Sequence, residues 1–420
     1  MAPGIRSLVG VGAIAVLAVA GLGATAGPAG AAPPPKVRFA TFNASLNRAA
    51  AGQLVGDLSS PLNPPSADTA LQARRQQAAN VAEIIQRTRP DILLINEFDF
   101  VEGGTAATLF QQNYLGVSQT GARPITYPYR YVAPSNTGIQ SGFNLDNDAV
   151  TANDPDDAFG FGFFPGQFGL AVFSKYPIDV ASVRTFQLFL WKDMPGNLIP
   201  PGFFDAEELA VLRLSSKSHW DLPIQIGSKT VHFLVSHPTP PVFDGDEDRN
   251  GRRNFDEIRF WADYVHPQRS SYIYDDAGAF GGLANGARFV IAGDQNSDPF
   301  DGDSIPGSAQ LLLDSPKVNA TCVPESQGGP EAALIQGQAN LTHRGDPRFD
   351  TADFADSAPG NLRVDYVLPS KRGLTPLASA VFWPTTTDPL YRLTGTFNPN
   401  TFGGNPSSDH RLVWLDVRVR

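Results

Sequence analysis

Cysteine is nearly absent from this sequence, which has one, Cys322, in 420 residues. A single thiol cannot form an internal disulfide, so the fold has to be stabilised by its hydrophobic core and by any metal it binds. Basic residues are not in excess either, because 32 Lys and Arg stand against 42 Asp and Glu, for a net charge of -10. This balance argues against a protein that binds nucleic acid mainly by neutralising phosphates. Nucleic acid stays open as the substrate of an enzyme whose divalent cation supplies a local positive site.

Charged residues are few as well, at 18%, while hydrophobic residues make up 42%. This composition argues against a coiled coil or a disordered chain, and it is sufficient for one large core or two ordinary ones. No internal repeat or linker divides the sequence. We therefore expect a single soluble, acidic domain.

Long apolar runs are missing except near the start. Arg6 precedes an apolar segment rich in Gly and Ala at residues 8–22, and Ala29-Gly30-Ala31 fits the small-x-small rule for signal peptide cleavage. No later segment approaches ~18 uninterrupted apolar residues, so no transmembrane helix is expected. We predict a signal peptide at 1–31, a mature domain at 32–420, and secretion to the extracellular space.

The most informative segment lies near the middle of the domain. Phe289 to Ala292 is a short apolar run with β-branched residues, typical of a buried strand. Asp294 and Asn296 follow two residues apart, so both project to one side at the carboxyl end of that strand, where α/β sheets usually place their sites. Asp294 can accept a proton from water or hold a cation, and Asn296 can hold an anionic oxygen. An Asx-turn explains this pattern equally well.

Polar residues also mark the ends of the other predicted core strands. Apolar or alternating segments run into them at 37–43, 91–97, 231–237, 361–369 and 407–417, and the residues concerned are Asn43, Glu97, His237, Asp365, Asp409 and His410. An ionised group such as Glu97 at the end of a buried strand is costly unless it is paired or holds a metal. Asn43 also begins a glycosylation sequon, which would conflict with a role in an active site.

Helical spacing predicts two helices, at residues 70–88 and 255–265. Three segments between the core strands have little periodicity and are interpreted as long loop insertions, at about 101–168, 190–216 and 299–354. Such loops either shape a substrate site or are plain surface insertions.

The segment from Asp246 to Glu257 matches the pattern of a calcium-binding loop. The matching residues are Asp246, Asp248, Asn250, Gly251 and Glu257. Against this, Arg253 occupies a position that is usually apolar, and prolines stand where the entering helix should be. Arg252 and Arg253 could alternatively clamp a phosphate.

Three motifs together give the sequence a family resemblance. Gly-Asp-Gln-Asn at 293–296, Arg-Val-Asp-Tyr-Val at 363–367 and Ser-Asp-His at 408–410 occur in the order typical of the endonuclease/exonuclease/phosphatase superfamily. The sequence resembles this superfamily over about residues 37–419. The resemblance implies an α/β fold, a four-layer sandwich of two face-to-face mixed β-sheets flanked by helices.

The resemblance also implies a metal site. Glu97 would ligate Mg²⁺ or Mn²⁺, with Asn43 and Asp409 as ligands or next to them, since hard cations prefer oxygen ligands. A structural Ca²⁺ in the loop at 246–257 is a separate prediction. Where nucleases of the superfamily often have a basic or polar contact, this chain has Phe98 and Asp99 after Glu97, which leaves the substrate class open.

The catalytic roles that the resemblance implies concern five residues. Asp294 would orient and deprotonate the attacking water, and Asn296 would hold the phosphate. Asp365 would fix the tautomer of His410, which stabilises or protonates the phosphoryl group. His237 would contact the phosphate or protonate the leaving oxygen, a task for a group that titrates near neutrality.

The expected function is therefore a secreted, divalent-metal-dependent phosphoesterase acting on phosphodiester bonds, most simply an endonuclease or exonuclease. The alternatives are a phosphomonoesterase or phospholipase C-type enzyme on inositol phosphates or lipid head groups, and a non-catalytic calcium-dependent binding protein. An aromatic lipid-docking loop would favour the phospholipase, and residues 159–164 are a candidate. The substrate is a phosphate ester, with nucleic acid among the candidates, and a monomer without a stable protein partner is expected.

Overall fold

The strands form where the sequence has its β-branched and aromatic runs. The computed structural model describes Met1 and residues 34–150, 154–398 and 402–420, so the predicted signal peptide lies outside the described residues except for Met1. The strands are β1 (Lys36–Leu46), β2 (Ile92–Phe98), β3 (Tyr129–Tyr131), β4 (Leu170–Ser174), β5 (Arg184–Thr185), β6 (Trp220–Ile226), β7 (Lys229–Val235), β8 (Phe289–Asp294), β9 (Ala352–Asp353), β10 (Asn361–Leu362), β11 (Asp365–Pro369), β12 (Leu374–Val381) and β13 (Val413–Val419).

Two mixed sheets organise residues 35–420. The first sheet has six strands in the order β12-β13-β1-β2-β4-β3, and the second has five in the order β11-β8-β7-β6-β5. β1 and β2 are parallel, as are β7 and β8, while their other neighbours in the sheets are antiparallel. β9 and β10 form a separate antiparallel pair.

Most of the helices pack on the outer faces of the sheets. They are α1 (Gln53–Leu58), α2 (Thr69–Thr88), α3 (Thr105–Phe110), α4 (Ala206–Val211), α5 (Arg249–Tyr264), α6 (Gln310–Leu313) and α7 (Gly328–Gln336). α2 begins after Asp68, whose side chain accepts hydrogen bonds from two backbone N–H groups of the first turn. It ends before Pro90, as the sequence predicts. No helix among the described residues is long and apolar enough to cross a membrane.

Three apolar layers hold the sheets and helices together. The inner faces of the two sheets meet in one cluster, in which the rings of Phe39 and Phe233 lie 5.5 Å apart. The outer face of the first sheet packs against α2 through Val81 and Ile85, and that of the second packs against α5 through residues such as Trp261. The predicted four-layer α/β sandwich is therefore confirmed.

The three predicted insertions are less irregular than the sequence suggests. The first contains α3 and the edge strand β3, the second contains α4, and the third contains α6, α7 and β9. These elements are short, at nine residues or fewer, so their periodicity is difficult to recognise in the sequence. Cys322 is a free, half-buried thiol.

Candidate active site

The polar residues at the strand ends meet at one edge of the sandwich. Asp294 ends β8 and lies directly opposite Asp365, which begins the antiparallel strand β11. Asn43 lies on β1, next to β2, whose penultimate residue is Glu97. His410 precedes β13 in the chain. The fold thus brings together side chains from both sheets.

Asp294 is the centre of the cluster, and its two carboxylate oxygens have different surroundings. Oδ1 accepts a hydrogen bond from the backbone N–H of Asn296 at 2.8 Å, which forms an Asx-turn. Oδ2 accepts a hydrogen bond from Nδ2 of Asn43 at 3.1 Å and lies 3.3 Å from Nε2 of His237 and 3.6 Å from Nε2 of His410. The sequence left an Asx-turn and a functional site as alternative interpretations of Asp294. In the structure one carboxylate oxygen forms the turn and the other faces the site.

His410 is held between two carboxylates. Its Nδ1 lies 2.9 Å from Oδ2 of Asp365, and its ring packs edge-on against Phe354 at 5.3 Å. Burial alone would lower the pKa of His410, but the carboxylates of Asp365 and Asp294 raise it well above its ordinary value. The ring is consequently an imidazolium at neutral pH, with one N–H directed towards Asp294.

Asp294 is ionised at neutral pH, whereas the neighbouring His237 is neutral. Burial would raise the pKa of Asp294, but the rings of His410 and His237 hold it below its usual range. Burial, reinforced by Lys217, lowers the pKa of His237 to about 4. His237 is thus neutral at pH 7. Its buried Nδ1 has no hydrogen-bond partner among the described residues, so its Nε2 carries the proton that faces Asp294.

Glu97 and Asp409 form the acidic part of the site. Both side chains are partly exposed, and Nδ2 of Asn43 donates to Glu97 at 3.0 Å. The hydroxyls of Ser45 and Ser408 lie 3.4 and 3.3 Å from Oδ1 of Asp409. Burial, reinforced by the charge of Asp409, raises the pKa of Glu97 to about 7. Two carboxylates, of which Asp409 raises the pKa of Glu97, make with the neighbouring amide an oxygen donor set that fits a hard divalent cation.

A second group of ligand atoms lies close by. Asp294, Asp365 and His410 each offer one ligand atom, and these three atoms lie within 4.8 Å of one another, so they could hold a metal ion. In this group the imidazolium already supplies the positive charge between the two carboxylates. Glu97 and Asp409 form no salt bridge with any residue that the structure describes, so this pair is the better candidate for the metal.

Backbone conformation sets the direction of two of these side chains. Glu97 and Asn296 have left-handed φ angles of 57° and 51°, which cost energy in residues other than glycine and occur often at functional sites. Nδ2 of Asn296 donates to the carbonyl of Pro238 at 3.0 Å. This bond orients the carboxamide and uses one of its two N–H donors.

The predicted calcium-like loop does not form. α5 begins at Arg249, so Asn250 and Gly251 lie in the helix instead of a loop that could surround an ion. The carboxylate of Glu257 is fully buried and accepts hydrogen bonds from the backbone N–H groups of Ser216 and Thr239, at 2.8 and 2.6 Å. Asp246 and Asp248 precede the helix. The four proposed ligands are therefore not arranged around a common centre.

The alternative phosphate clamp at Arg252 and Arg253 is not supported either. Arg253 donates to the carbonyl oxygens of Leu214, Arg213 and Phe159, at distances of 2.6 to 2.8 Å. Arg252 donates from Nε to the carbonyl of Glu247 at 3.0 Å. Both arginines therefore bind backbone carbonyl groups of the protein.

Sequence reasoning missed one charged residue of the site. Lys217 is only 7% exposed, and it lines a cavity together with Glu97 and His237. Burial lowers the pKa of Lys217, and the charges of Glu257 and Glu97 oppose the shift. The lysine stands in a run of serines before β6, and no hydrophobic pattern there indicates a site.

Comparisons with known proteins give a consistent result. The model of the Endonuclease/Exonuclease/phosphatase family matches residues 40–410. No curated sequence matches the chain. Similar solved structures include an endonuclease/exonuclease/phosphatase from Beutenbergia cavernae, with 16% identity, a TM-score of 0.46, and coverage of 91% of this chain and 72% of that one.

Two further solved structures have comparable similarity. The beta toxin of Staphylococcus aureus, solved with bound magnesium ions, has 14% identity, a TM-score of 0.45, and coverage of 92% of this chain and 100% of its own. Sphingomyelinase C from Streptomyces griseocarneus has 13% identity, a TM-score of 0.45, and coverage of 91% and 99%. Because the family model spans most of the sequence, this chain belongs to the Endonuclease/Exonuclease/phosphatase family, and it is a metal-dependent hydrolase of phosphate ester bonds.

Proposed function

We propose that this enzyme hydrolyses phosphodiesters by in-line attack of a water molecule that Asp294 orients and activates. The observation that carries the proposal is the buried, ionised Asp294, whose Oδ2 is surrounded by Asn43, His237 and His410 within 3.6 Å. A carboxylate fixed in this way can accept a hydrogen bond from water without reorganising.

His410 and Asp365 act on the phosphoryl group that the water attacks. The imidazolium of His410, aligned by Asp365, stabilises the negative charge that develops on the phosphoryl oxygens, and it can donate a proton. His237 is neutral at pH 7, which favours contact with the phosphate over protonation of the leaving oxygen. Asn296 would hold a phosphate oxygen with its second N–H.

Glu97, Asn43 and Asp409 would hold the divalent cation. When bound, the cation polarises a phosphoryl oxygen and neutralises charge during in-line displacement. Mg²⁺, Mn²⁺ and Ca²⁺ all prefer such oxygen ligands, and a metal titration distinguishes them.

The charge of the site favours a diester over a monoester. Four carboxylates face it, namely Glu97, Asp294, Asp365 and Asp409. Against them stand one imidazolium, His410, and one ammonium, Lys217. With a bound divalent cation these formal charges balance, so the site has no excess positive charge to offer. A diester carries one negative charge and a monoester close to two at neutral pH, so the second charge of a monoester is the less well compensated.

A substrate panel tests the proposal. We expect hydrolysis of bis(p-nitrophenyl) phosphate to exceed that of p-nitrophenyl phosphate, to require Mg²⁺, Mn²⁺ or Ca²⁺, and to stop in EDTA. Plasmid DNA, RNA, phytate and sphingomyelin complete the panel. Full activity in EDTA, or preference for the monoester, would contradict the proposal.

A further inference from the structure

A cavity of 660 Å³ adjoins the phosphoryl site, beginning at Glu97 and His237. Its volume lies within the range of about 300–1,000 Å³ that is typical of small-molecule sites. Its walls are mainly apolar and come from two of the insertions and from the segment before α5. The apolar wall residues include Leu145, Phe161, Trp191, Phe204, Leu212 and Val242.

Two charged residues of α5, Arg253 and Glu257, hold these walls in place. Arg253 ties together the carbonyl oxygens of Phe159 and Leu214, which belong to the two different insertions. Glu257 binds the backbone N–H groups of Ser216 and Thr239. The cavity is therefore preformed, and an occupant is not required to order its walls.

Lys217 supplies a positive charge to the cavity. Its side chain makes no hydrogen bond or salt bridge within residues 34–150, 154–398 and 402–420, and it feels the charges of Glu257, Glu97 and Asp294 only at longer range. The arginines of the cavity are used elsewhere, since Arg249 pairs with Glu247 and Arg253 binds carbonyl oxygens. An ammonium without a hydrogen-bonded partner, on a nearly buried side chain that lines a largely apolar cavity, fits one anionic oxygen.

The other polar contributions to the lining restrict what this anion can carry. Asp146 and Asp156 also line the cavity, and Asp156 is exposed. Their carboxylates would repel a second phosphate, as a polynucleotide or an inositol polyphosphate would bring. Phe161 and Phe243 are 47% and 84% exposed, so the lining also offers apolar contacts to the entering group.

We propose that the cavity binds the uncharged, apolar ester group of a phosphodiester that has a single phosphate, while Lys217 binds a non-bridging oxygen of that phosphate. Cleavage of this substrate rests on the function proposed above, whereas its binding does not. Aryl and alkyl diesters fit this description, and polynucleotides do not.

Binding in EDTA tests the cavity independently of catalysis. NMR titration should show that diphenyl phosphate binds at least about tenfold more tightly than dimethyl phosphate, a typical contribution of a well-fitted apolar group. Val242→Trp fills the cavity and should reduce the preference to about threefold or less. Val117→Trp, at an exposed valine outside the lining, should retain it. Equal affinities in the wild type, or an unchanged preference in Val242→Trp, would overturn the proposal.

Lys217→Met distinguishes the contact with the phosphate from the contact between the apolar wall and the ester group. The substitution should weaken both phosphates by about the same factor, roughly tenfold, and should leave the preference for diphenyl phosphate intact. Lys217→Arg should restore part of the affinity. If only diphenyl phosphate were affected, the lysine would be a wall residue and not a phosphate contact.

Catalysis distinguishes the two proposals. In Val242→Trp, kcat/KM for bis(p-nitrophenyl) phosphate should fall roughly tenfold, with the Val117→Trp control unchanged. A wild type that prefers diphenyl phosphate in binding but hydrolyses no diester with any metal would retain the cavity and refute the proposed function. A wild type that hydrolyses diesters but binds both phosphates equally would retain the proposed function and refute the role of the cavity.

Discussion

Asp294 shows how one residue supports both the backbone and the chemistry. One of its oxygens closes a turn with Asn296, and the other faces Asn43 and two histidines. The turn fixes the carboxylate, so the reactive oxygen does not depend on solvent for its position.

Asp294→Asn separates activation of water from binding. The amide retains the shape but accepts protons poorly, so the single-turnover rate should fall roughly 10²-fold or more. Affinity for the anionic substrate should change little or improve, because one negative charge is lost. Single-turnover rates and dissociation constants at saturating Mg²⁺ measure both effects.

Asn296→Ala is the matched comparison and should weaken both binding and turnover. If Asp294→Asn retained near-wild-type turnover, another residue would activate the water, with His410 the next candidate.

Glu97 links stability to pH and metal. Its pKa rises from an ordinary value of 4.5 to about 7 in the folded, metal-free protein. The protonated form is therefore favoured by folding, and this contribution to stability is present below pH 4.5 and lost as the pH rises to about 7. In EDTA, the Tm of the wild type should therefore fall relative to that of Glu97→Gln as the pH rises from 4.5 to about 7.

Mg²⁺ should reverse the effect, because it binds the ionised carboxylate. We expect it to raise the Tm of the wild type more at pH 8 than at pH 5, and to raise that of Glu97→Gln much less. Equal responses of the two proteins to Mg²⁺ would show that the metal lies elsewhere.

The sequence predicts most residues of the site because each follows a recognisable strand. Asn43, Glu97 and Asp294 terminate apolar runs, and the fold brings those ends to one edge of the sandwich. Lys217 could not be found in this way. Its environment depends in part on the first insertion and on α5, which are distant from it in sequence.

At the scale of elements, the predicted helix at 255–265 is six residues too short at its start. The segment before Phe255 is polar and matches a calcium-loop pattern, yet it forms the first turns of α5. Its residues Arg253 and Glu257 bind backbone groups of the insertions, so tertiary contacts decide the structure there.

The strand β6 is also absent from the sequence prediction. It contains Pro223, which has no backbone N–H and argues against an internal strand. In the structure the carbonyl of Pro223 accepts from Asp179, while β6 pairs with β7 along its whole length. The sheet tolerates the lost donor because the neighbouring pairs remain.

Gly160 explains the alternating Phe and Gly residues of the first insertion. A Cβ atom at this position would lie 1.8 Å from the carbonyl oxygen of Ser216, so only glycine permits the two insertions to meet. The close contact places Phe161 on the cavity wall. Within the aromatic run, Phe159 is 7% exposed and packs internally, Phe161 lines the cavity, and Phe163 is 68% exposed.

Glu257→Gln tests whether α5 braces the insertions. The neutral amide can replace only part of the two hydrogen bonds to Ser216 and Thr239, and we expect a loss of about 1–3 kcal/mol in the free energy of unfolding. Urea denaturation measures it. Glu247→Gln, near the start of the same helix and paired at the surface with Arg249, is the control and should cost less than about 1 kcal/mol. Equal small losses would contradict the bracing role.

At the scale of the whole molecule, the fold separates stability from chemistry. Three apolar layers hold the sandwich together without a disulfide, and the polar residues collect at one edge. The architecture was predictable because three short motifs resemble those of the family, and that resemblance implies the family's fold. The cavity was not predictable, since its walls come from segments without periodicity.

The net charge of -10 leads to a last prediction, on the effect of salt. A nuclease that holds a polynucleotide through many phosphate contacts releases counterions, so its binding weakens about 10³-fold or more when salt increases several-fold. A diester with one phosphate, bound beside Lys217 in a largely apolar cavity, makes a single such contact and is little screened. We therefore expect kcat/KM for bis(p-nitrophenyl) phosphate at saturating Mg²⁺ to change less than about threefold between roughly 50 and 300 mM NaCl. Lys217→Met should flatten even this dependence. A steeper dependence for this small diester would contradict the single contact. Efficient cleavage of plasmid DNA that falls steeply with salt would instead identify an extended nucleic-acid surface.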